Sequence, residues 1–491
     1  MQYDAIVVGA GVVGPGFAIA LARQGRKVML VERNWQKQDR IVGELLQPAG
    51  VKALRELGVV QAINNIEAIP HYGYYIDFKG KKVTIGYPFK DTANRTNPLH
   101  PVPDAVFDGN GHLVSDSTID ASAWENDERL WGFAFHNGEF LQNLRRMAET
   151  EKNIDTVEGT ATKLLRDDKN TNQVVGVRVK EKGSERDYRA KLVFCCDGIY
   201  SNFRKTLSPD RAPEVESYFV GFSLFDAKLP EPNHGHVILG DHAPVLLYQN
   251  SPREVRLLCA YRSSKAPSQK NNDLFDYLSE QVLPALPPTV QASFEKAMET
   301  KKYKAMPNQY FTAPRQGDSL RGVVFLGDSL NMRHPLTGGG MTVGLCDSVL
   351  LAKLLHPTQV QDFKDYRLIA KKLGIFQAKR KNLDAVINTL SIALYTLFAA
   401  DTPSLKALQN GCIEYFLLGG NRIEDPIGLL SGMLPFPMLL FNHFFSVAFY
   451  SIALNFKKKG RLGFPLALWD AICILYVAAV VFLPYLWREL V

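Results

Sequence analysis

Apolar residues along the chain fall into two kinds of run. Residues 4–8 (DAIVV), 27–31 (KVMLV) and 323–326 (VVFL) are short and unbroken, the pattern of strands buried on both faces of a parallel sheet. Residues 15–24 carry Ala, Ile and Leu on one side and predict a helix. Pro15 falls in its first turn, where a missing N–H is tolerated, and Gly25 suits its end. Residues 4–32 therefore predict a βαβ unit. Residues 156–194 predict a small β-meander, with strands near 174–179 and 192–194. Residues 216–262, rich in Phe, Val, Leu and Tyr, predict further strands. Helices are expected over 273–300, over 341–355 and from 362 to the end. Residues 91–131, with Pro98, Pro101, Pro103, several Asp and Asn and little apolar periodicity, predict a surface insertion.

The last sixty residues differ from the rest. Residues 434–456 carry no charge, and 462–487 carry only Asp470, with prolines at 465 and 484. Each run matches the length of about 20 apolar residues that a bilayer core requires. Lys457, Lys458, Lys459 and Arg461 lie between them and suit an anionic membrane surface. The prolines, Asp470 and the tight basic hairpin fit a pair that dips into one leaflet as well as one that spans.

Composition narrows the function classes. The chain has 491 residues, enough for two or three domains, with 46% hydrophobic and 22% charged residues. A net charge of +7 with no basic track interleaved with aromatics argues against nucleic acid. Six cysteines without a CxxC pair or His–Cys metal spacing read as reduced thiols facing the cytosol and predict no metal site. The first strand begins almost at once, so no cleavable signal peptide is expected before the fold.

Three motifs carry chemistry. In Gly9-Ala10-Gly11-Val12-Val13-Gly14, Gly9 permits the strand-to-helix turn, Gly11 lets backbone approach a pyrophosphate, and Gly14 lets the helix pack on the strand. Glu32, at the end of the second strand, is placed to accept hydrogen bonds from a ribose. These residues alone fit NAD or FAD. The second motif, Asp197-Gly198 after residues 192–196, taken alone is an ordinary turn. The third is Gly327-Asp328, followed by Asn331-Met332-Arg333-His334-Pro335-Leu336-Thr337-Gly338-Gly339-Gly340-Met341. A carboxylate at a strand end suits the ribitol hydroxyls of FAD. The glycine-rich turn opens a helix whose positive end suits the pyrimidine edge of a flavin, where negative charge develops on reduction.

In this order the motifs resemble those of the flavoprotein hydroxylases, and two longer strings resemble squalene epoxidases, with the 91–131 insertion resembling the family's fungal branch. The strings are Arg40-Ile41-Val42-Gly43-Glu44-Leu45-Leu46-Gln47-Pro48 and the run from Asn331 to Val343; Phe219-Val220-Gly221-Phe222 and Tyr415-Phe416-Leu417-Leu418-Gly419-Gly420 fit more loosely. The resemblance covers nearly the whole chain. It implies FAD contacts at Gly9, Gly11, Val12, Val13, Gly14, Glu32, Arg33, Arg40, Arg145, Asp197, Asp328, Gly340 and Met341, with Arg40 and Arg145 supplying cations to the pyrophosphate. It also implies that Tyr74 and Gln47 pair beside the flavin and substrate. Ala49, where the family commonly has Gly, and Asn137-Gly138-Glu139, in place of a more basic pattern, depart from it.

The fold class expected is α/β, in three parts. An FAD-binding Rossmann-like domain is assembled from 1–70, 140–215 and 320–355. A β-rich substrate domain takes 71–139 and 216–319. A helical region, 356–491, holds membrane-associated helices at 434–456 and 462–487. The resemblance implies epoxidation of squalene by O2 in sterol biosynthesis, in a pocket walled by segments 71–89 and 216–262. Such chemistry needs water excluded and an alkene oriented rather than a nucleophile, and Ser329 and His334 lack a nucleophile-elbow context. With one dinucleotide fingerprint, electrons are expected from a separate NADPH-dependent diflavin reductase, at the endoplasmic reticulum membrane with the catalytic part facing the cytosol. Two alternatives stand beside this: a membrane-associated prenyl reductase needing no oxygen, and a flavin-binding membrane protein without catalysis.

Overall fold

The structure, a computed structural model, describes residues 2–88, 130–263, 266–267 and 273–490, the Glu216 side chain excepted. The insertion expected at 91–131 lies, but for its last two residues, outside them. β1 (Gln2–Val8) is buried along most of its length and enters α1 (Val13–Arg23), whose first turn holds Pro15. Gly25 has φ +82° and turns the chain into β2 (Val28–Glu32). Parallel to these lie β8 (Ile154–Glu158) beside β2, and the second half of β11 (Ser184–Cys195) beside β1, with β17 (Val323–Phe325) beyond it. The first half of β11 instead pairs antiparallel with β10 (Val174–Glu181), which pairs with β9 (Thr160–Arg166). One seven-stranded sheet thus joins a Rossmann-like core to the expected meander. The Asp197-Gly198 and Gly327-Asp328 turns follow adjacent strands, so both open at the carboxyl edge of the sheet beside the turn after β1.

A second seven-stranded sheet brings together distant segments. β5 (Gly73–Phe78) and β6 (Lys81–Gly86) join β12 (Glu214–Phe225), β13 (His234–Leu239), β14 (Val245–Ser251), β15 (Glu254–Tyr261) and β16 (Lys304–Tyr310). Period-two alternation sorts its faces. Val220, Phe222 and Leu224 pack on Val290 and Phe294 of the helix Pro288–Glu299, whereas Phe219, Tyr74, Leu246 and Leu258 face the other way. Three short strands, β3 (Leu45–Leu46), β7 (Gly132–Ala134) and β4 (Ile69–His71), form a third sheet with β7 at its centre.

The rest is helical. We number the longer helices α2 (Pro48–Glu56), α3 (Asn137–Thr150), α4 (Pro288–Glu299), α5 (Gly340–Leu354), α6 (Tyr366–Phe398), α7 (Pro403–Leu417), α8 (Asn421–Leu430), α9 (Pro437–Lys459) and α10 (Phe464–Leu490). Asp365 caps α6 by accepting from the Leu368 N–H, and Thr402, followed by Pro403, caps α7, so the chain bends by 112° between them. α9 and α10 form a hairpin closed at its tip by Asp470, which accepts from Asn455 at 2.8 Å and pairs with Lys459. That pairing explains how an acid is carried in an otherwise apolar helix.

Candidate active site

The three carboxyl-edge turns converge on one cavity of about 690 Å³. Gly9 has φ +102°, and a Cβ there would lie 2.5 Å from the Cys196 carbonyl oxygen, so only glycine fits. At Gly14 a Cβ would lie 1.9 Å from the Gly9 oxygen; the helix is drawn tight onto the turn. Around Gly11 and Gly340, by contrast, nothing lies within 4 Å of where a side chain would stand, and both line the cavity. Two helix N-termini, of α1 and α5, thus present bare backbone to the same space, a cradle for anionic groups.

Glu32 lines this cavity with its carboxylate already engaged. Oε2 accepts from the Ala10 N–H at 2.7 Å and Oε1 from the Asn34 N–H at 3.1 Å. Both bonds hold the glycine turn and leave lone pairs for a ribose. Arg33 and Arg40 are exposed cations at the cavity wall. Arg145 also borders it, but its guanidinium donates to the carbonyls of Ala10 at 2.9 Å, Asn34 at 3.1 Å and Gln36 at 3.3 Å. Nε and Nη1 thus brace the turn from beneath, while Nη2 lies 3.9 Å from Glu32 Oε2 and the cation stays at the cavity wall. The side chain of Val13 likewise packs toward Gly327 and Gly344. Val13 and Gly14 are not among the cavity-lining residues, while Val12 and Met341 are.

Asp328 and Asp197 both line the cavity, and burial pushes both carboxyls up from the usual carboxylate range. For Asp328 the Arg333, Arg204 and Arg40 charges pull the other way. Asp197 Oδ2 accepts from the Asn202 N–H at 2.9 Å, while Oδ1 has no protein partner. These unspent acceptors, beside open backbone, fit the hydroxyl-rich chain and pyrophosphate of FAD.

Sequence reading missed what holds the two acidic turns together. Buried Arg204 donates to Gly198 O and Ile199 O at 2.9 Å each, to Asp328 O at 2.8 Å and to Ser329 O at 3.1 Å. One guanidinium fork thereby ties both turns at fixed separation. The signal was present: an Arg seven positions beyond Asp197, after Ser201. Arg204→Lys retains the charge and loses the fork. It is expected to weaken FAD binding about tenfold, roughly 1.4 kcal/mol, as read by the dissociation constant from flavin fluorescence.

The second sheet closes the far side. Tyr74, Leu246, Tyr248 and Leu258 line the cavity opposite the glycine turns. Gln47, fully buried, donates from Nε2 to Tyr74 Oη at 2.6 Å and Thr337 O at 2.7 Å, and its Oε1 accepts from Tyr87 at 2.6 Å. The structure thus brings Gln47 and Tyr74 together and ties both to the loop before α5. Burial pushes the Tyr74 phenol up to about 12, so it stays protonated at ordinary pH. Glu44, also missed, is buried in an ion pair with Arg256 at 2.8 Å and 3.0 Å, with Tyr248 donating to it at 3.2 Å. Asn137, at one departure from the family pattern, donates to the Gly43 carbonyl at 2.8 Å.

His334 stacks on Tyr395 at 4.1 Å, accepts from the Leu336 N–H, and is held by burial down to about 3, a structural cap rather than a base. Among the described residues no group of His, Cys, Asp or Glu is placed to hold a metal, and the six cysteines are unpaired.

A family model for squalene epoxidase matches residues 189–469. The chain is 59% identical to squalene epoxidase ERG1 of Candida albicans, covering 100% of this chain and 99% of the relative. It is 50% identical to squalene epoxidase ERG1 of Saccharomyces cerevisiae, covering 100% and 97%.

The chain belongs to the squalene epoxidase family.

Solved structures share this epoxidase's fold. p-Nitrophenol 4-monooxygenase PnpA from Pseudomonas putida DLL-E4 superposes with TM-score 0.64 at 14% identity, over 88% of this chain and 98% of that one. PqsL, a probable FAD-dependent monooxygenase from Pseudomonas aeruginosa, does so with TM-score 0.61 at 18% identity, over 81% and 97%. The α/β fold with a β-rich second unit and apolar C-terminal helices is the one expected from the sequence.

Proposed function

We propose that the chain is an FAD-dependent monooxygenase that converts squalene to (S)-2,3-epoxysqualene with O2, in sterol biosynthesis. The observation that carries this beyond family membership is the single cavity with two unlike walls. One wall is glycine turns, helix N-termini and the carboxyls of Glu32, Asp197 and Asp328; the other is apolar and aromatic. Bound there, FAD supplies the oxygen-activating chemistry. Gly9 and Gly11 would receive its pyrophosphate, with Gly14 holding the helix against that turn, Glu32 would hold the adenosine ribose, Asp328 the ribitol, and the α5 N-terminus at Gly340 and Met341 the pyrimidine edge. Arg33 and Arg40 supply cations, and Arg145 acts through the turn it braces. Tyr74, held by Gln47, belongs to the second-sheet wall and orients the alkene. Leu246 and Leu258 exclude water.

The domain division is part of this reading: 1–70, 140–215 and 320–355 for the cofactor, 71–139 and 216–319 for the substrate, and 356–491 for the membrane. Electrons come from NADPH through a separate diflavin reductase, at the endoplasmic reticulum membrane from the cytosolic side. The deciding assay supplies purified protein in detergent with FAD, NADPH, a diflavin reductase and squalene, with and without oxygen. Oxygen-dependent 2,3-epoxide supports the reading, whereas flavin turnover with squalene returned unchanged overturns the substrate. Saturated product formed without oxygen would indicate a prenyl reductase.

Helices α9 and α10 are long and apolar enough to cross a bilayer, yet each packs one side against the helical region. Leu466, Trp469, Ile472, Tyr476 and Trp487 stay exposed on the other. The last turn of α10 returns to the second sheet, where Glu489 accepts from Tyr310 at 2.8 Å. A hairpin with its base inside the protein and one bare apolar side fits one leaflet better than a span. Trp469→Glu with Tyr476→Glu changes no buried contact. Its partitioning onto anionic vesicles, read by flotation, is expected to fall at least tenfold, since a charge in lipid costs about 2.5 kcal/mol or more.

A further inference from the structure

A second polar centre lies behind the cavity, away from every residue assigned above. Arg380 of α6 is fully buried and holds Asp347 of α5 through Nε at 3.1 Å and Nη2 at 2.7 Å, and Asp384 of its own helix through Nη1. Glu489, from the last turn of α10, is buried against the same group, with Tyr310 of β16 on one oxygen and Asn388 as a further hydrogen-bond partner. The centre reaches the cavity by two routes. Arg333, which lines the cavity, donates to Asn331 Oδ1 at 2.7 Å, and the same oxygen accepts from Asn388 at 3.1 Å. Asp347 also lies two helical turns from Gly340, about 10 Å along the axis.

Asp347, Asp384 and Glu489 face the Arg380 guanidinium, and Arg333 is shared with Asp328, which also has Arg204 and Arg40 nearby. Two further cations stand at the edge of the centre: Lys381 faces Asp384 and Glu489 and donates to the Leu490 carbonyl at 2.6 Å, and Arg488 pairs with Glu214 at 3.4 Å. Three buried carboxylates thus have Arg380 to themselves, share Arg333 with Asp328 and meet Lys381 only at the edge, and a retained proton lowers the negative charge held in this low-dielectric interior. Hydrogen-bonding capacity also stands unused: Asp384 Oδ1, Arg333 Nε and Nη1, Asn388 Oδ1 and Thr389 Oγ1 are buried without protein partners. Burial pushes Asp384 up from the usual carboxylate range, with Arg380 pulling it down and Asp347 adding to the rise.

We propose that Asp384 and Glu489 form a redox-linked proton-binding site, which takes up a proton when the flavin gains electrons and releases it when oxygen is reduced to water. This rests on the reading of the chain as a flavin monooxygenase. The overall reaction, squalene + O2 + 2 e⁻ + 2 H⁺ → epoxide + H2O, breaks the O–O bond and forms two C–O bonds. It needs two protons from outside the substrate, and an external reductase supplies the electrons. Negative charge arriving at the α5 N-terminus raises the proton affinity of a carboxyl pair carried by α6 and α10 and joined to α5 through Arg380 and Asp347. The last turn of the membrane hairpin therefore contributes a group to the redox centre as well as an anchor.

The test is anaerobic reduction of the FAD-loaded full chain in detergent with a pH-indicator dye, comparing wild type with Asp384→Asn and Glu489→Gln. Near neutral pH the wild type is expected to take up more protons per two electrons, by up to roughly one proton, and each variant to lose that excess. The infrared difference spectrum between reduced and oxidised wild type is expected to show a carboxylic-acid carbonyl stretch. Equal uptake in wild type and FAD-retaining variants overturns the proposal. So does a wild-type spectrum without the carbonyl signal, whatever the variants do. A purified chain that retains no FAD would overturn the flavoprotein reading instead.

Discussion

Gly14→Ala is expected to leave the protein without retained flavin. The methyl group would stand 1.9 Å from the Gly9 carbonyl oxygen and 3.0 Å from its carbon, and no rotation relieves a clash between backbone and Cβ. Either α1 moves away from β1 or the turn opens. Each displaces the N–H groups that receive the pyrophosphate, and about 1 Å of misplacement is ruinous for such a cradle. Gly11→Ala separates the two roles of the motif. Its Cβ meets nothing within 4 Å, so the fold should be unaffected while the methyl group occupies cavity space. Bound flavin by absorbance and the unfolding midpoint, taken together, check this. Gly14→Ala should lose both, and Gly11→Ala flavin alone. A Gly14→Ala protein with full flavin content would refute the packing account.

Arg256→Met is expected to destabilise the fold by about 3–5 kcal/mol, the usual cost of stranding one member of a buried ion pair. Glu44 has almost no solvent access. Without the guanidinium it keeps only Tyr248 at 3.2 Å and Asn250 at 3.3 Å as donors, with His136 no closer than 4.0 Å. Arg256 belongs to β15 and Glu44 to the loop before β3, so the pair joins the second sheet to the segment that lines the cavity. Arg256→Met with Glu44→Gln removes both charges, leaves the Tyr248 and Asn250 bonds usable, and leaves Glu254, which Arg256 also held at 3.1 Å, with His136 at 3.5 Å. It should recover most of the loss. Denaturant unfolding of the two variants decides the matter: equal destabilisation would mean that the cost lies in packing and not in the stranded charge.

The division between what was legible in the sequence and what was not follows the range of the forces involved. Gly9, Gly11 and Gly14 announce their turn because strain and close approach act within a few residues, and Asp328 stands out by its place between a strand and a glycine-rich helix start. The βαβ unit, the meander and the helix at 341–355 followed from their apolar patterns, whereas helices Pro48–Glu56 and Asn137–Thr150 and the three-stranded sheet did not. Arg145 was expected beside the cofactor turn as a cation, and only the fold shows that its Nε and Nη1 also brace that turn through three carbonyls. Val13 could not be told from Val12, because a side chain's direction at a helix start depends on what packs behind it. Arg204, the Glu44–Arg256 pair and the Asp384–Glu489 centre were not legible in the same sense. Their partners stand 212 positions apart in one case and 179 in the contact of Glu489 with Tyr310. The amino-acid sequence alone determined the cofactor class, the family and the apolar tail, since those are written in contiguous residues. Which buried charges meet was decided only by tertiary structure, because desolvation makes such groups choose partners by proximity in space, whatever their separation along the chain.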